Sequence, residues 1–461
     1  MEYANFLRDK LITSTSSGFV VDRVNEILFD FQRDIVRWVL QKGKAAVFAG
    51  TGLGKTLIEM ESASKMSEYT GKPVLIVAPL SVGKQTVSLG AMFGYEVNLC
   101  RTQDDVKSGI NITNYDMLKH FDPDKFGGII LDESSILKSD HGATRNLIID
   151  MFGEVPFRLA CTATPAPNDH VELGNHAEFL GVCSSTEMLA MFFVHDGGDT
   201  SKWRLKGHAK VKFWEWVASW AVMLTKPSDL GYADDQFNLP PLCLHSKVVS
   251  VANKSKNFLF PMEARTLQER QSARRSSTSS RVDAANDLVD CKEKWLIWCD
   301  LNVEQDALKK KFGKNCVSID GSTSNDDRLA YEEAWRIGDV PILITKPKIF
   351  GFGMNWQHCS KMIFVGLSDS FEQVYQAIRR CWRFGQTHQV DVYFVTARTE
   401  GAVVRNIERK ELEFNKMLKG MIASTQEITK KNLTNTRREI LEYLACADMI
   451  IPEWLEEVVN G

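Results

Sequence analysis

Long apolar runs are missing from this chain. No stretch approaches the ~20 residues that a membrane span requires, so a spanning protein is not expected. The first residues, Met1-Glu2-Tyr3-Ala4-Asn5-Phe6-Leu7-Arg8, hold no apolar secretory core, and a cytoplasmic protein is the expectation. The ten cysteines are scattered singly, with neither a Cys-x-x-Cys pair nor a Cys/His cluster at zinc spacing; reduced thiols are expected. Charge of one sign is lacking too. Lys and Arg total 56 against 59 Asp and Glu, a formal net charge of −3. Without a global basic field, any contact with a polyanion must be a local strip. No cluster suggests a nuclease or metal-hydrolase centre, and His141, His170, His176, His195 and His208 read as structural or surface residues. What is present is ordinary globular composition, 44% hydrophobic and 25% charged over 461 residues, enough for two or three domains.

From about residue 43, short apolar segments alternate with helical ones. Strands are expected at 45–49, 74–78, 109–113, 128–132 and 158–162, with helices such as 56–66 and 143–151 between them. A second series gives strands at 295–299, 317–320, 342–345, 362–365 and 390–395. Strands without polar alternation are those buried on both faces, as in a parallel sheet covered by helices. The expected fold is therefore α/β, two lobes in tandem with a mostly helical insertion between them and C-terminal helices. The middle, 181–288, lacks the alternation; it carries Trp203, Trp214, Trp216, Trp220 and Pro240-Pro241. Its polar tract at 271–281 is expected to be a loop or hinge. Helices at 403–417 and 434–445 are expected to brace the second lobe. The expected division is a lead segment at 1–24, lobe one at 25–180, insertion and hinge at 181–288, lobe two at 289–400 and bracing helices at 401–461.

Chemistry concentrates at three places. Ala49-Gly50-Thr51-Gly52-Leu53-Gly54-Lys55-Thr56 follows a strand and opens a helix, the setting in which glycines let backbone N–H groups converge on phosphates. Lys55 would meet the β- and γ-phosphates of ATP, and Thr56 would help hold Mg²⁺. Ala49 stands where the general pattern has its first glycine. At 128–133 two carboxylates end an apolar strand: Asp132 would hold Mg²⁺, and Glu133 would position or deprotonate the attacking water. Gln376, Arg380 and Arg383 stand at i, i+4 and i+7, so one helix would align them on one face. A solvated basic helix surface is the bland alternative. An arginine face answering a distant phosphate loop points to two lobes closing on ATP.

Residues 202–212 hold five basic side chains and no acid: Lys202, Arg204, Lys206, Lys210 and Lys212, beside Trp203. Such a strip can neutralise phosphates or stack a base; a solvated loop leading into a tryptophan-rich core helix explains it equally well. Trp214, Trp216 and Trp220 read as core. Arg274, Arg275 and Arg281 form a second candidate contact.

The chain resembles superfamily 2 helicase-type ATPases, and within them Swi/Snf-type DNA translocases, across roughly residues 28–400. Phe31-Gln32 resembles the adenine-reading glutamine motif. Val77-Ala78-Pro79-Leu80-Ser81 and Thr113-Asn114-Tyr115 resemble first-lobe nucleic-acid motifs, and Asp132-Glu133-Ser134-Ser135-Ile136-Leu137-Lys138 the second motif. Thr162-Ala163-Thr164-Pro165-Ala166-Pro167-Asn168 resembles the coupling motif. In lobe two, Asp320-Gly321-Ser322-Thr323 with Arg328, Gly351-Phe352-Gly353-Met354-Asn355-Trp356, and Gln376 to Gln386 resemble family signatures. The sequence departs from the family at Ser134-Ser135, where Ala-His is usual, at Trp356 for Leu, and at Arg379 for an acid.

The resemblance implies two RecA-like lobes that use ATP and Mg²⁺. ATP contacts would be Gln32, Gly50, Thr51, Gly52, Leu53, Gly54, Lys55, Thr56 and Gly353, with Lys55, Asp132, Glu133, Gln376, Arg380 and Arg383 catalytic. Thr162 and Thr164 would couple the two activities. Pro79, Thr113, Asn114, Ser322 and Thr345 would join Lys202, Arg204, Lys206 and Lys210 on nucleic acid. The implied function is a DNA-stimulated ATPase, translocase or helicase, working on duplex or branched DNA without sequence preference. Replication, recombination or repair would be its setting, beside proteins of those processes and away from membranes. The short middle segment suits a compact phage or bacterial type. An ATP-gated binding or assembly module with little turnover, or an RNA helicase, are the alternatives.

Overall fold

The apolar segments pair as parallel strands. A computed structural model describes residues 16–80, 82–138, 142–196, 199–249, 267–350, 355–367, 370–397 and 401–438. In lobe one, β1 (Lys44–Ala49), β2 (Val74–Ala78), β3 (Val97–Leu99), β4 (Ile110–Asn114), β5 (Gly128–Asp132) and β6 (Phe157–Thr162) lie in the order β3-β4-β2-β5-β6-β1. Two further strands, β7 (Phe193–Asp196) and β8 (Asp199–Leu205), form a separate antiparallel hairpin. β9 (Ala221–Leu224) then adds a seventh parallel strand beside β1, Ala46 facing Ala221.

Lobe two is built the same way. Its strands are β10 (Leu242–Val249), β11 (Trp295–Trp298), β12 (Cys316–Ser318), β13 (Ile342–Thr345), β14 (Lys361–Phe364) and β15 (Val390–Ala397). They form a parallel sheet in the order β10-β15-β14-β11-β13-β12. The α/β expectation with two parallel sheets holds, and the side chains explain it. Successive strand residues point to opposite faces, and here both faces are covered. Ala46 and Phe48 of β1 enter one core while Ala45, Val47 and Ala49 enter another. In β11, Leu296 and Trp298 pack on one side of the sheet, Trp295 and Ile297 on the other.

The middle differs from expectation. Instead of standing apart as a helical insertion, it gives β9 to the first sheet and β10 to the second. The tract at 271–281 is not a hinge: it lies within a helix, Leu267–Leu288. Two of its three arginines, Arg274 and Arg281, turn inward, while Arg275 is exposed. Arg281 is fully buried, pairs with buried Glu304 at 2.8 Å and also donates to the carbonyl oxygen of Val365. Arg274 pairs with Asp300 at 2.7 Å, and the hydroxyls of Ser277 and Thr278 return to the Arg274 carbonyl at 3.2 and 3.0 Å. A polar composition thus serves a buried helix face rather than a solvated loop.

The C-terminal expectation also changes. One helix spans Gly401–Arg438, and the end of the expected 434–445 helix lies outside the described residues. The helix does not brace lobe two alone. Phe414 packs on Phe371 in lobe two, Met417 and Leu418 touch the cores of both lobes, and Met421, Ile422 and Leu433 are buried in lobe one. Asn432 donates to the Ala218 carbonyl at 3.3 Å. The helix is a strap across both lobes.

Removing one partner of a buried ion pair strands the other's charge. Arg281→Ala should lower stability by about 3–5 kcal/mol, and Arg281→Met with Glu304→Leu should recover most of that loss. Urea unfolding followed by tryptophan fluorescence checks both.

Candidate active site between the two lobes

The phosphate-loop segment forms where β1 ends. Gly52 and Gly54 adopt φ of +92° and +78°, which side chains other than glycine avoid. The helix Lys55–Thr70 starts immediately after. Gln32 is buried beneath the loop: its amide donates to the Leu53 carbonyl at 2.9 Å, and its oxygen accepts from the Phe29 N–H at 3.0 Å. A Cβ on Gly54 would come within 2.3 Å of that amide nitrogen. Bracing the loop is what this geometry shows for Gln32, where the sequence suggested a base contact. Lys55 lies across the loop, Nζ donating to the Ala49 carbonyl at 3.0 Å.

Asp132 ends β5 buried, and the Tyr115 hydroxyl donates to its backbone carbonyl at 2.7 Å. Burial, then the neighbouring Glu133 charge, push the Asp132 carboxyl up to about 7. A bound cation would reverse that cost, as a Mg²⁺ site requires. Glu133 sits at φ +55°, a left-handed conformation costing a non-glycine residue on the order of 1–3 kcal/mol. The Thr162 hydroxyl meets its carboxylate at 3.3 Å and accepts from the Thr164 N–H at 3.1 Å.

Lobe two supplies the cations, by a route other than the expected one. The helix Phe371–Ile378 stops before the arginines, because the chain tightens there: Arg380 N–H bonds Ala377 and Cys381 N–H bonds Ile378, three residues back. Gln376, Arg380 and Arg383 therefore do not share one helix face. Arg380 folds back instead, its Nε on the Gln376 carbonyl and its Nη2 on the Gln376 side-chain oxygen, each at 3.0 Å. Both arginines still reach the cleft. Desolvation lowers Arg380 to about 10, opposed by Glu133 and Asp132; desolvation and the neighbouring Arg380 lower Arg383 to about 9. At neutral pH both stay cationic.

One cleft of about 360 Å³ is lined by Gln32, Thr51, Gly52, Gly54, Lys55, Thr56, Asp132, Glu133, Asn355, Arg380 and Arg383. Its size lies within the range of small-ligand pockets. Buried Thr51 Oγ1, Gln85 Oε1 and Asn355 Oδ1 on its walls have no partner among the described residues. Such atoms fit a polar guest better than an apolar one. Phe29, Phe237 and Phe384 add aromatic wall, with Phe237 and Phe384 5.0 Å apart. Gly50 and Leu53 adjoin a smaller hollow beneath the loop, and Gly353 lies outside the described residues. No motif reading singled out Gln85, Phe29 or Phe237, whose relevance comes from folding rather than spacing, and Tyr115 and Phe384, quoted within motifs, were given no role in this cleft.

The expected nucleic-acid contacts separate into two groups. Pro79 is half-buried and Asn114 caps the N–H of Asp116 at 3.0 Å; they follow and end the neighbouring strands β2 and β4. Ser322 is exposed, its hydroxyl on Asp320 at 2.6 Å, and Arg204 and Lys210 are exposed as well. Three others correct the expectation. Thr113 is buried, and buried Thr345 donates to the Ile319 carbonyl at 3.0 Å. Lys206 caps the helix Ser185–Phe192, bonding the carbonyls of Ala190 and Met191 at 2.8 and 3.1 Å. Of the second candidate strip, Arg274 and Arg281 are consumed by internal pairs, and only Arg275 stays exposed. The side chain of Lys202 lies outside the described residues, and Trp214, Trp216 and Trp220 are core, as expected.

His176 approaches the second motif where a histidine was missing. Its Nε2 lies 3.1 Å from the Ser134 hydroxyl and its Nδ1 3.4 Å from the Glu172 carbonyl. Burial lowers it to about 4 from an ordinary 6.5. Neutral imidazole is thus favoured in the folded state, so stability present above pH 6.5 is lost as pH falls toward 4. His176→Gln should flatten this acid limb by on the order of 3 kcal/mol. Urea unfolding at pH 7, 5 and 4 measures the difference.

Residues 281–385 match the family described as Helicase conserved C-terminal domain. The chain is 32% identical over 113 residues to Protein CHROMATIN REMODELING 24 of Arabidopsis thaliana, covering 24% of this chain and 10% of that protein. It is 28% identical over 173 residues to ATP-dependent helicase FUN30 of Saccharomyces cerevisiae, covering 36% and 15%. The aligned segments thus span only a small part of these relatives. A solved Sulfolobus solfataricus SWI2/SNF2 ATPase core in complex with dsDNA aligns over 90% of this chain and 97% of its own, at TM-score 0.41 and 16% identity. The sequence matches thus show that residues 281–385 resemble the conserved C-terminal domain of helicases, a likeness that part of the chain shares with these two relatives.

Proposed function

We propose that the chain hydrolyses ATP in the interlobe cleft and uses the cycle to move along duplex or branched DNA. One observation carries this reading: phosphate-loop, carboxylate and arginine residues from two separate sheets line a single cleft. Lys55 would hold the β- and γ-phosphates, Glu133 would orient water, and Arg380 and Arg383 would offset charge on the transferred phosphoryl group. Thr56 and Asp132 would hold Mg²⁺, whose contribution is to neutralise phosphate charge. Gln376 would fix Arg380, and Thr162 and Thr164 would pass the state of Glu133 outward. The matched relatives, named a helicase and a chromatin-remodelling protein, support this class of activity.

The DNA side of the proposal rests on Pro79, Asn114, Ser322, Arg204 and Lys210, contacts suited to backbone rather than bases. Work in replication, recombination or repair, in a compact phage or bacterial protein, belongs to the same proposal. The division that goes with it ends lobe one after β9 and begins lobe two at β10.

ATP turnover should rise with duplex or branched DNA and fall steeply as salt is raised. Glu133→Gln should lower kcat by about 10²-fold or more. Steady-state assays with single-stranded, duplex and branched DNA and with RNA, at two salt concentrations, check both. Stimulation by RNA alone, or unchanged turnover in Glu133→Gln, would overturn the reading.

A further inference from the structure

Glu372 is an acid in the first turn of the helix Phe371–Ile378, where a carboxylate ordinarily faces water and the helix N-terminus. Here it is buried, and both its oxygens cross to lobe one. One pairs with Lys138 of the second motif; the other accepts the Thr164 hydroxyl of the coupling motif at 3.3 Å. The surroundings extend the contact. Lys138 also acts on Glu172, which holds Asn168 through bonds of 2.7 and 3.2 Å. On the other side, Thr164 bonds Thr162, and Thr162 bonds Glu133. A continuous polar chain therefore runs from the carboxylate in the cleft to the helix that carries Gln376 and leads into the arginines.

We propose that Glu372 is a positioning residue for hydrolysis: its clasp on Lys138 and Thr164 sets the closed arrangement in which lobe two presents Arg380 and Arg383 to Glu133. The inference rests on the ATPase reading above and deepens it. A buried carboxylate that loses Lys138 must find another partner. The clasp therefore holds only when both lobes are correctly placed. Its loss leaves the phosphate loop intact, so ATP should still bind while turnover fails.

The test is a double-mutant cycle on the full chain, with Glu372→Ala, Lys138→Met and their combination, and Glu372→Gln as the conservative variant. Glu372→Ala should lower kcat about tenfold while KM for ATP stays within about twofold, and the double variant should be no worse than the weaker single. Glu372→Gln keeps an acceptor for Thr164 and should recover part of the loss. X-ray scattering supplies a readout that needs no turnover: the radius of gyration of Glu372→Ala without nucleotide should exceed that of the unaltered chain. An unaltered chain that ignores ATP and DNA would sink the functional reading, while the scattering comparison would still judge the clasp. Unchanged kcat, single effects that multiply, or an unchanged radius of gyration would overturn the clasp.

Discussion

Two like-charged clusters, each with one buried member (Asp132, Arg380) and one partly buried (Glu133, Arg383), govern this molecule. Asp132 and Glu133 crowd each other at the end of β5, and Arg380 and Arg383 crowd each other beyond the helix Phe371–Ile378. Each cluster alone bears both desolvation and repulsion. Facing each other, they offset part of that burden, which is seen in the opposing pull of the carboxylates on Arg380. The parallel sheets, the tight turn after Ile378 and the left-handed Glu133 all deliver charge to this one place. Nearby, Gln376 holds Arg380, and Thr162 holds Glu133, so neither side is free to collapse onto its own neighbours.

Three different materials join the lobes. Charge joins them at Glu372 and Lys138, and aromatic contact at Phe237 and Phe384. Apolar burial joins them along the helix Gly401–Arg438, whose Met417 and Leu418 lie against both cores. These contacts differ in reach. Ion pairs and hydrogen bonds break within an ångström or two, whereas an apolar seat tolerates sliding. Separation of the clasp can therefore precede any loss of the strap.

Much of the fold was readable because its strands are buried on both faces. Val74–Ala78, Gly128–Asp132 and Ile342–Thr345 sit at the bounds their uninterrupted apolar runs suggested. The glycines and carboxylates of lobe one were readable too, since phosphate-loop geometry demands particular residues at fixed spacing. What escaped were features decided by partners far away in sequence. The tract around Arg281 looks solvated until Glu304 is placed beside it. Arg380 and Arg383 fit a helical period, but the chain tightens after Ile378, with Gly385 at φ +88° just beyond. Short β9 carries too few residues to announce a strand, and its place depends on β1 already being there. Thr345 and Lys206 had the right chemistry for phosphate contact, yet local carbonyls claimed them first.

Gly52 has a consequence beyond the bending of its loop. A Cβ at this position would stand 2.8 Å from the backbone nitrogen of Phe384, so lobe two rests directly on the phosphate loop. Loop and opposing lobe thus share one wall. Any reshaping of the loop displaces Phe384 by touch, and any retreat of Phe384 unloads the loop. Loop and second lobe are therefore in direct contact at this point, in addition to the polar route through Thr162, Thr164 and Glu372, because the glycine's missing side chain leaves nothing between them.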